Sequence, residues 1–203
     1  LHKDSSFKDC IFSEAVYIKK TTFEGGLNFE TTKFLGDIAF ESSQITGNAS
    51  LQKAKFHGVT QLRDVTFSSE VNLRETTFER EVDFKNITFG GYTNFENATF
   101  LSDTRMTTVH FNESVNLLNM TFSGNLSVKN STFIEPVDFK QSYFRGYLNF
   151  QDNVYATGIE FSGARFNSSL KESRKMRFPD GIKLDSEGAP VGSRWIKFRY
   201  AIQ

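Results

Sequence analysis

The chain has 203 residues, a formal net charge of zero and a single cysteine, Cys10. Balanced charge argues against a generic binder of nucleic acid and equally against a strongly acidic mimic of DNA. A lone cysteine excludes an internal disulfide, and no apolar run reaches the about 18 residues that a membrane-spanning helix requires.

Large apolar residues recur at alternating steps of five and six residues along most of the chain, with no polar residue at any step. Such steps do not stay on one side of a 3.6-residue helix. A fixed short period instead predicts a repeat array in which each unit buries its apolar residue against its neighbours. This ladder consists of Phe7, Phe12, Ile18, Phe23, Phe29, Phe34, Phe40, Ile45, Leu51, Phe56, Leu62, Phe67, Leu73, Phe78, Phe84, Phe89, Phe95, Phe100, Met106, Phe111, Leu117, Phe122, Val128, Phe133, Phe139, Phe144, Phe150, Tyr155, Phe161 and Phe166.

A second column of smaller residues lies two positions before the ladder residues. Because alternate residues of a strand point the same way, each repeat is expected to supply one large and one smaller inward residue. Cys10 falls in this column and is therefore expected in the core. Other members are Leu27, Ile38, Val71, Val82, Val115, Leu126, Val137 and Leu148, and Thr21, Thr32, Ala54, Val65, Thr76, Ala98, Val109, Ser131, Ser142 and Ala164.

Glycine recurs two residues after the ladder residues that end a five-residue step. A bend every five or six residues needs a positive φ, and we expect these glycines to supply it. They are Gly25, Gly36, Gly58, Gly91, Gly124 and Gly146.

The repeat resembles the pentapeptide-repeat family, whose unit places a small residue, then Asp or Asn, before a large central apolar residue. The matching units include Val71-Asn72-Leu73, Val82-Asp83-Phe84, Val115-Asn116-Leu117, Val137-Asp138-Phe139 and Leu148-Asn149-Phe150. Alternation of five and six residues and the dominance of Phe depart from the family pattern and make the chain look like a Phe-rich variant with an 11-residue period.

The resemblance implies an all-β fold, a right-handed, four-sided parallel β-helix. Four faces give about 22 residues per coil, about seven coils and a rod roughly 35 Å long at the usual strand spacing. A coil of about 11 or about 33 residues stays possible from the sequence, because either is a multiple of the repeat. The repeat predicts a first domain of residues 1–166 and a C-terminal capping or connecting segment of residues 167–203.

Beyond Phe166, the stretch from Trp195 to Ile202 alternates as a half-buried strand. An open β-helix end exposes unpaired strand edges and core, so a cap is expected there. We expect Ile196, Phe198, Tyr200 and Ile202 to cover the last Phe layer; pairing with another chain is the alternative. Trp195 completes this set of interface candidates.

No catalytic, cofactor or metal site is predicted. His2, His57 and His110 are isolated and lack the convergent spacing of metal ligands. The carboxylates Asp64, Asp83, Glu96 and Asp103 are candidates for a glycosidase, but their scatter favours a solvated surface instead. In a 22-residue coil one outer column holds Lys19, Glu41, Arg63, Lys85, Thr107 and Lys129, which can engage an anionic ligand such as an acidic glycan.

Sequons for N-glycosylation occur eight times. If used, they imply export; the alternative is that duplication copies a favourable corner sequence. The asparagines are Asn48, Asn86, Asn97, Asn112, Asn119, Asn125, Asn130 and Asn167.

Two functions are consistent with these observations. The first is a non-catalytic structural or cell-surface module that is exported and glycosylated. Its expected partners are other protein chains or surface glycans, and further copies of the same chain in a homo-oligomer are included. The alternative, which the resemblance implies, is a cytoplasmic protein-binding module like the DNA-mimicking pentapeptide-repeat proteins that bind type II topoisomerases. Nucleic acid is not an expected partner.

Overall fold

The computed structural model describes residues 3–173 and 176–198. Ser5 pairs with Leu27, and Leu27 pairs in turn with Ala49, so the chain forms a 22-residue coil. All pairings between the described strands are parallel, and the described residues contain no α-helix. The predicted coil length and all-β fold are confirmed, and the shorter and longer coils are excluded.

Each coil has four faces, and each face carries one ladder residue per coil. Strands of the first face are Ser5–Ser6, Leu27–Asn28, Ala49–Ser50, Val71–Asn72, Thr93–Asn94, Val115–Asn116, Val137–Asp138 and Ile159–Glu160. Strands of the second face are Ile11–Phe12, Lys33–Phe34, Lys55–Phe56, Thr77–Phe78, Thr99–Phe100, Thr121–Phe122, Tyr143–Phe144 and Arg165–Asn167, followed by Arg194–Ile196.

The third and fourth faces share one sheet, because three long strands continue around the corner between them. The long strands are Thr60–Phe67, Val82–Phe89 and Thr104–Phe111. Third-face strands are also Val16–Lys19, Ile38–Glu41, Leu126–Lys129 and Leu148–Gln151, and fourth-face strands are also Thr22–Phe23, Gln44–Ile45, Thr132–Phe133 and Val154–Tyr155.

The core consists of aromatic stacks that run along the rod. On the second face the rings from Phe12 to Phe166 form one stack, with successive centroids 4.7–5.4 Å apart and ring planes within 13°. A shorter stack on the fourth face runs from Phe67 to Tyr155. The ladder is therefore the core, as its periodicity predicts.

The smaller inward column also satisfies backbone groups. Thr32 Oγ1 donates to the Phe7 carbonyl at 2.6 Å, and Thr76 Oγ1 donates to the Leu51 carbonyl at 2.9 Å. Each hydroxyl thereby adds a second hydrogen bond to a carbonyl of the preceding coil, which also accepts from the backbone N–H three residues further on. Cys10, in the same column, is only half-buried, which corrects the expectation of a core position; among the described residues it has a neighbouring coil on one side only.

The last coil is covered by the chain that follows it. A short 3₁₀ helix, Ser168–Leu170, is capped at its N-terminus by Asn167, whose side chain accepts from the Ser169 N–H. Arg177 then bridges to Asn149 on the third face, and Arg194–Ile196 pairs in parallel with Arg165–Asn167 on the second. Phe178 packs on Phe166, with centroids 5.1 Å apart, so the tail continues two faces of the rod and covers its end.

Candidate interaction surface

Positive φ marks two of the four corners of every coil. Each such residue lies two positions after the ladder residue that opens a five-residue step. A five-residue corner has one residue fewer in which to turn, and a left-handed residue makes the turn instead. The non-glycine residues with φ of 50° to 60° are Asp9, Lys20, Thr31, Ser42, Lys53, Asp64, Glu75, Asn86, Asn97, Thr108, Asn119, Asn130, Gln141 and Asp152.

The recurrent glycines lie at the other two corners, in the six-residue steps, and none of those six has a positive φ. The prediction that they supply positive φ is wrong. Their role is close approach: a Cβ on Gly124 would lie 2.3 Å from the Ser102 carbonyl carbon, and one on Gly146 would lie 2.3 Å from the Gly124 carbonyl oxygen. A side chain at either site would require the neighbouring backbone to move.

Four of the sequon asparagines, Asn86, Asn97, Asn119 and Asn130, occupy positive-φ corners. Asparagine tolerates this conformation better than most residues. Half of the sequons therefore have a backbone cause that is independent of any sugar.

The eight sequon asparagines differ in access. Asn167 is 8% exposed, and its Nδ2 donates to the Arg145 carbonyl at 2.9 Å. Asn97 is half-buried, and the other six are exposed. The Nδ2 groups of Asn86, Asn97, Asn119 and Asn125 donate to side chains nearby. Those of Asn48, Asn112 and Asn130 make no hydrogen bond with the described residues and are the accessible ones.

Opposite charges face each other across neighbouring coils. Lys8 Nζ lies 3.0 Å from Glu30 Oε2, and Lys19 Nζ lies 2.8 Å from Glu41 Oε2. His57 Nδ1 lies 2.9 Å from Glu79 Oε2. The hydrogen bond that Lys8 donates to Glu30, together with the negative charge of Glu30, raises the pKa of Lys8. The hydrogen bonds that Lys140 donates to Glu160 and Asp138 likewise raise the pKa of Lys140. These pairs are exposed and contribute little stability, but they neutralise much of the surface.

The predicted outer column from Lys19 to Lys129 is confirmed as a geometric feature of the third face, because all six residues lie in register. Lys19 pairs with Glu41, and Arg63 pairs with Asp83 at 3.1 Å. Lys85 and Lys129 have no carboxylate partner among the described residues. That this column engages an anionic ligand stays a prediction.

Charge is unevenly distributed over the four faces, although the chain as a whole is neutral. On the second face, two kinds of position face solvent: the outward residues of each described strand and the residue that follows each strand. Glu79 is the one acidic residue at these positions, and it pairs with His57. Apart from His57, the basic residues at those positions are Lys33, Lys55, Arg145, Arg165, Arg194 and Lys197. On the fourth face, the corresponding positions carry one charge, Glu24, and otherwise mostly Thr, Ser, Gln and Asn.

The carboxylates weighed for catalysis do not converge. Asp83 and Glu96 form ion pairs with Arg63 and Arg74 on different faces. Asp64 accepts from Asn86, and Asp103 accepts from the backbone N–H of Asn125 at 2.8 Å. Within residues 3–173 and 176–198, no group of His, Cys, Asp and Glu could hold a metal ion, and no helix is long and apolar enough to span a membrane. His2 lies outside these residues.

The C-terminal strand packs with the opposite side inward from the one predicted. Its register places Trp195 opposite Phe166 and Ile196 opposite Asn167, so Trp195 covers the Phe layer at 5.8 Å between centroids. Phe198 instead lies against Tyr143 at 6.4 Å and under Arg145 at 5.2 Å, outside the sheet. The predicted inward position of Phe198 is wrong, and Tyr200 and Ile202 lie outside the described residues.

Comparison with known proteins identifies the family of the repeat. Residues 7–55 and 51–99 match the family model described as pentapeptide repeats in nine copies. Residues 7–99 of this chain belong to the pentapeptide-repeat family. No curated protein matches the chain in sequence. Among solved structures, trypsin-treated QnrB1, a plasmid-mediated fluoroquinolone resistance protein, is 14% identical over 79% of this chain and 93% of that chain, with a TM-score of 0.26.

Repeat units of five and of six residues account for the two kinds of corner in this chain. Units of five residues turn through a left-handed residue such as Asn119 (φ 56°). Units of six residues turn with the additional residue, where Gly124 and its equivalents lie against the preceding coil.

Proposed function

We propose that this pentapeptide-repeat chain is a non-catalytic interaction scaffold whose outer faces bind other proteins. The large inward side chains build a continuous core, which leaves the exterior to carry function. The observation that supports the proposal is the one-sided charge of a neutral chain. A flat basic second face opposite an almost uncharged fourth face can orient the rod on an acidic partner surface.

A charge-reversal experiment tests this proposal. Lys33→Glu with Lys55→Glu reverses two of the charges on the second face, and Lys85→Glu with Lys129→Glu makes the same charge change on the third. Partners are captured by chemical cross-linking in the source cells. We expect the second-face variant to lose its partners and the matched third-face variant to keep them. Equal capture by wild type and both variants would contradict binding through the second face.

We further propose that the scaffold is exported and carries N-linked glycan. Six exposed sequon asparagines support this proposal, and the three with free amide groups are the favoured acceptors: Asn48, Asn112 and Asn130. Peptide mapping of the native protein is expected to find glycan on at least one of the three. Mapping that finds them all bare would remove this part of the proposal.

The alternative, a cytoplasmic protein-binding module, is favoured by one specific observation. Asn86, Asn97, Asn119 and Asn130 have φ values of 50° to 60°, for which asparagine is suited without any sugar. The intact mass of the native protein separates the two: discrete added hexose mass supports export, and the unmodified polypeptide mass supports the alternative.

A further inference from the structure

A polar groove lies at the C-terminal end of the second face. Its volume is about 470 Å³, within the range of small-molecule sites. Hydrogen-bond donors dominate its lining, which includes Asn119, Gln141, Tyr143, Arg165, Ser193 and Arg194.

The tail creates this groove by returning to the rod. Arg194 pairs with Arg165 as the next rung of the second face, although the chain between them is longer than one regular coil. Next to it, the Gly163 N–H donates to the Gly192 carbonyl at 2.7 Å. Both glycines have positive φ, 70° and 84°, a conformation that lets the two backbones meet and that a side chain would oppose.

Two guanidinium groups consequently project side by side from neighbouring rungs. Like charges directly opposite each other in a sheet are destabilising. Elsewhere a base such as Lys8 or Lys19 has an acid one coil away. Within the described part of the chain, neither Arg165 nor Arg194 has a carboxylate within ion-pair distance.

Arg165 is also held in place for binding. Its guanidinium carbon lies 4.7 Å from the centre of the Tyr143 ring, and the group donates to the Tyr143 hydroxyl. Its Nε is buried and has no hydrogen-bond partner. A guanidinium fixed in this way is pre-organised for an oxyanion, to which its remaining N–H groups can donate.

Another like-charged pair on the same face lacks these features. Lys33 and Lys55 are also in register on adjacent rungs. Both are exposed on the strand surface, and neither makes a side-chain hydrogen bond, ion pair or aromatic contact with the described residues. Flexible ammonium groups in water tolerate such proximity. The lysine pair therefore serves as a control for the effect of positive charge without a groove.

We propose that the groove binds a small ligand bearing a phosphate or carboxylate group, with Arg165 and Arg194 holding its oxygens. Asn119, Gln141 and Ser193 supply further polar contacts around that group. This binding does not depend on the compartment or on the partners proposed above.

Nuclear magnetic resonance titration of the isotopically labelled full chain tests the proposal with inorganic phosphate, acetate and chloride at equal ionic strength. We expect saturable shifts of the Gly163, Gly192 and Ser193 amides with phosphate or acetate and none with chloride. Stronger binding of phosphate identifies a phosphorylated ligand, and stronger binding of acetate identifies a carboxylate ligand. Shifts that are equal in all three salts would overturn the proposal.

Matched variants separate the groove from general electrostatics. Arg194 is exposed, so Arg194→Gln should keep the fold, as judged by an otherwise unchanged amide spectrum, and weaken binding about tenfold through loss of a charged hydrogen bond. Lys33→Gln with Lys55→Gln removes two charges from the same face and should leave binding unchanged. Equal weakening in both proteins would reject a site at the groove.

Discussion

Single residues in this chain act as members of columns, because nearly every position has an equivalent in the next coil. An inward residue therefore contacts its own equivalents above and below. Phe89 is 1% exposed and lies between Phe67 and Phe111, with ring centroids 5.3 and 4.8 Å away. Loss of one ring removes contacts on both sides of its layer.

Phe89→Ala is expected to cost about 3–5 kcal/mol of unfolding free energy, because it leaves a cavity that neighbouring coils cannot close. Leu101→Ala is the control, since Leu101 is 48% exposed on the second face and should change stability by at most about 0.5 kcal/mol. Urea unfolding followed by circular dichroism measures both. A Phe89→Ala cost as small as that of Leu101→Ala would contradict the stacked core.

The left-handed corners make a different demand on single residues. Asn130 has a φ of 50°, and its side chain makes no hydrogen bond with the described residues. A substitution at this position therefore changes the unfolding free energy through the backbone conformation and not through a lost hydrogen bond. Asn130→Val is expected to cost about 1–2 kcal/mol because of its β-branched side chain at positive φ.

Asn130→Gly is the companion change and should alter stability by less than about 0.5 kcal/mol, since glycine reaches positive φ without a steric cost. Both variants lose the same sequon, so a difference between them cannot arise from sugar. Thermal unfolding of protein made in bacteria compares the two, and equal stability would argue against strain at this corner.

At the scale of elements, the repeats could be predicted from the sequence and the tail could not. Every ladder step repeats the same contacts, so periodicity alone determines which side of each strand is inward. Trp195 pairs with Phe166 across an irregular interval, longer than a regular coil, for which the sequence has no period. Alternation from Trp195 onward indicates a strand, but the register that turns Trp195 inward and Phe198 outward comes from tertiary packing.

Deletion of residues 191–203 is expected to lower the melting temperature and leave the protein monomeric, because it removes the Arg194–Ile196 strand and exposes Phe166 and Phe178. Deletion of residues 199–203 keeps this strand and is the control. Calorimetry with light scattering measures stability and mass. An unchanged melting temperature, or dissociation of an assembly into stable monomers, would contradict a capping role within one chain.

At the scale of the whole molecule, the surface is less predictable than the core. A 22-residue coil predicts the column from Lys19 to Lys129, and the register confirms it. The corner conformation predicted for the glycines is wrong, because the sequence shows a small residue at a bend without showing whether φ or close approach requires it. The groove with Arg165 and Arg194 depends on the tail's register and has no signal in the sequence. The domain boundary between residues 166 and 167 stays a prediction.

The coil length is the central claim, because it determines the faces, the columns and the surface on which both proposals rest. Spin labels at Lys19→Cys and Lys129→Cys, with Cys10→Ser, lie five rungs apart on the third face. Double electron–electron resonance should give one narrow distance distribution, with a backbone separation of about 24 Å before allowance for the label arms. A distribution centred near the about 48 Å of an 11-residue coil, or one too broad for a rigid rod, would contradict this account.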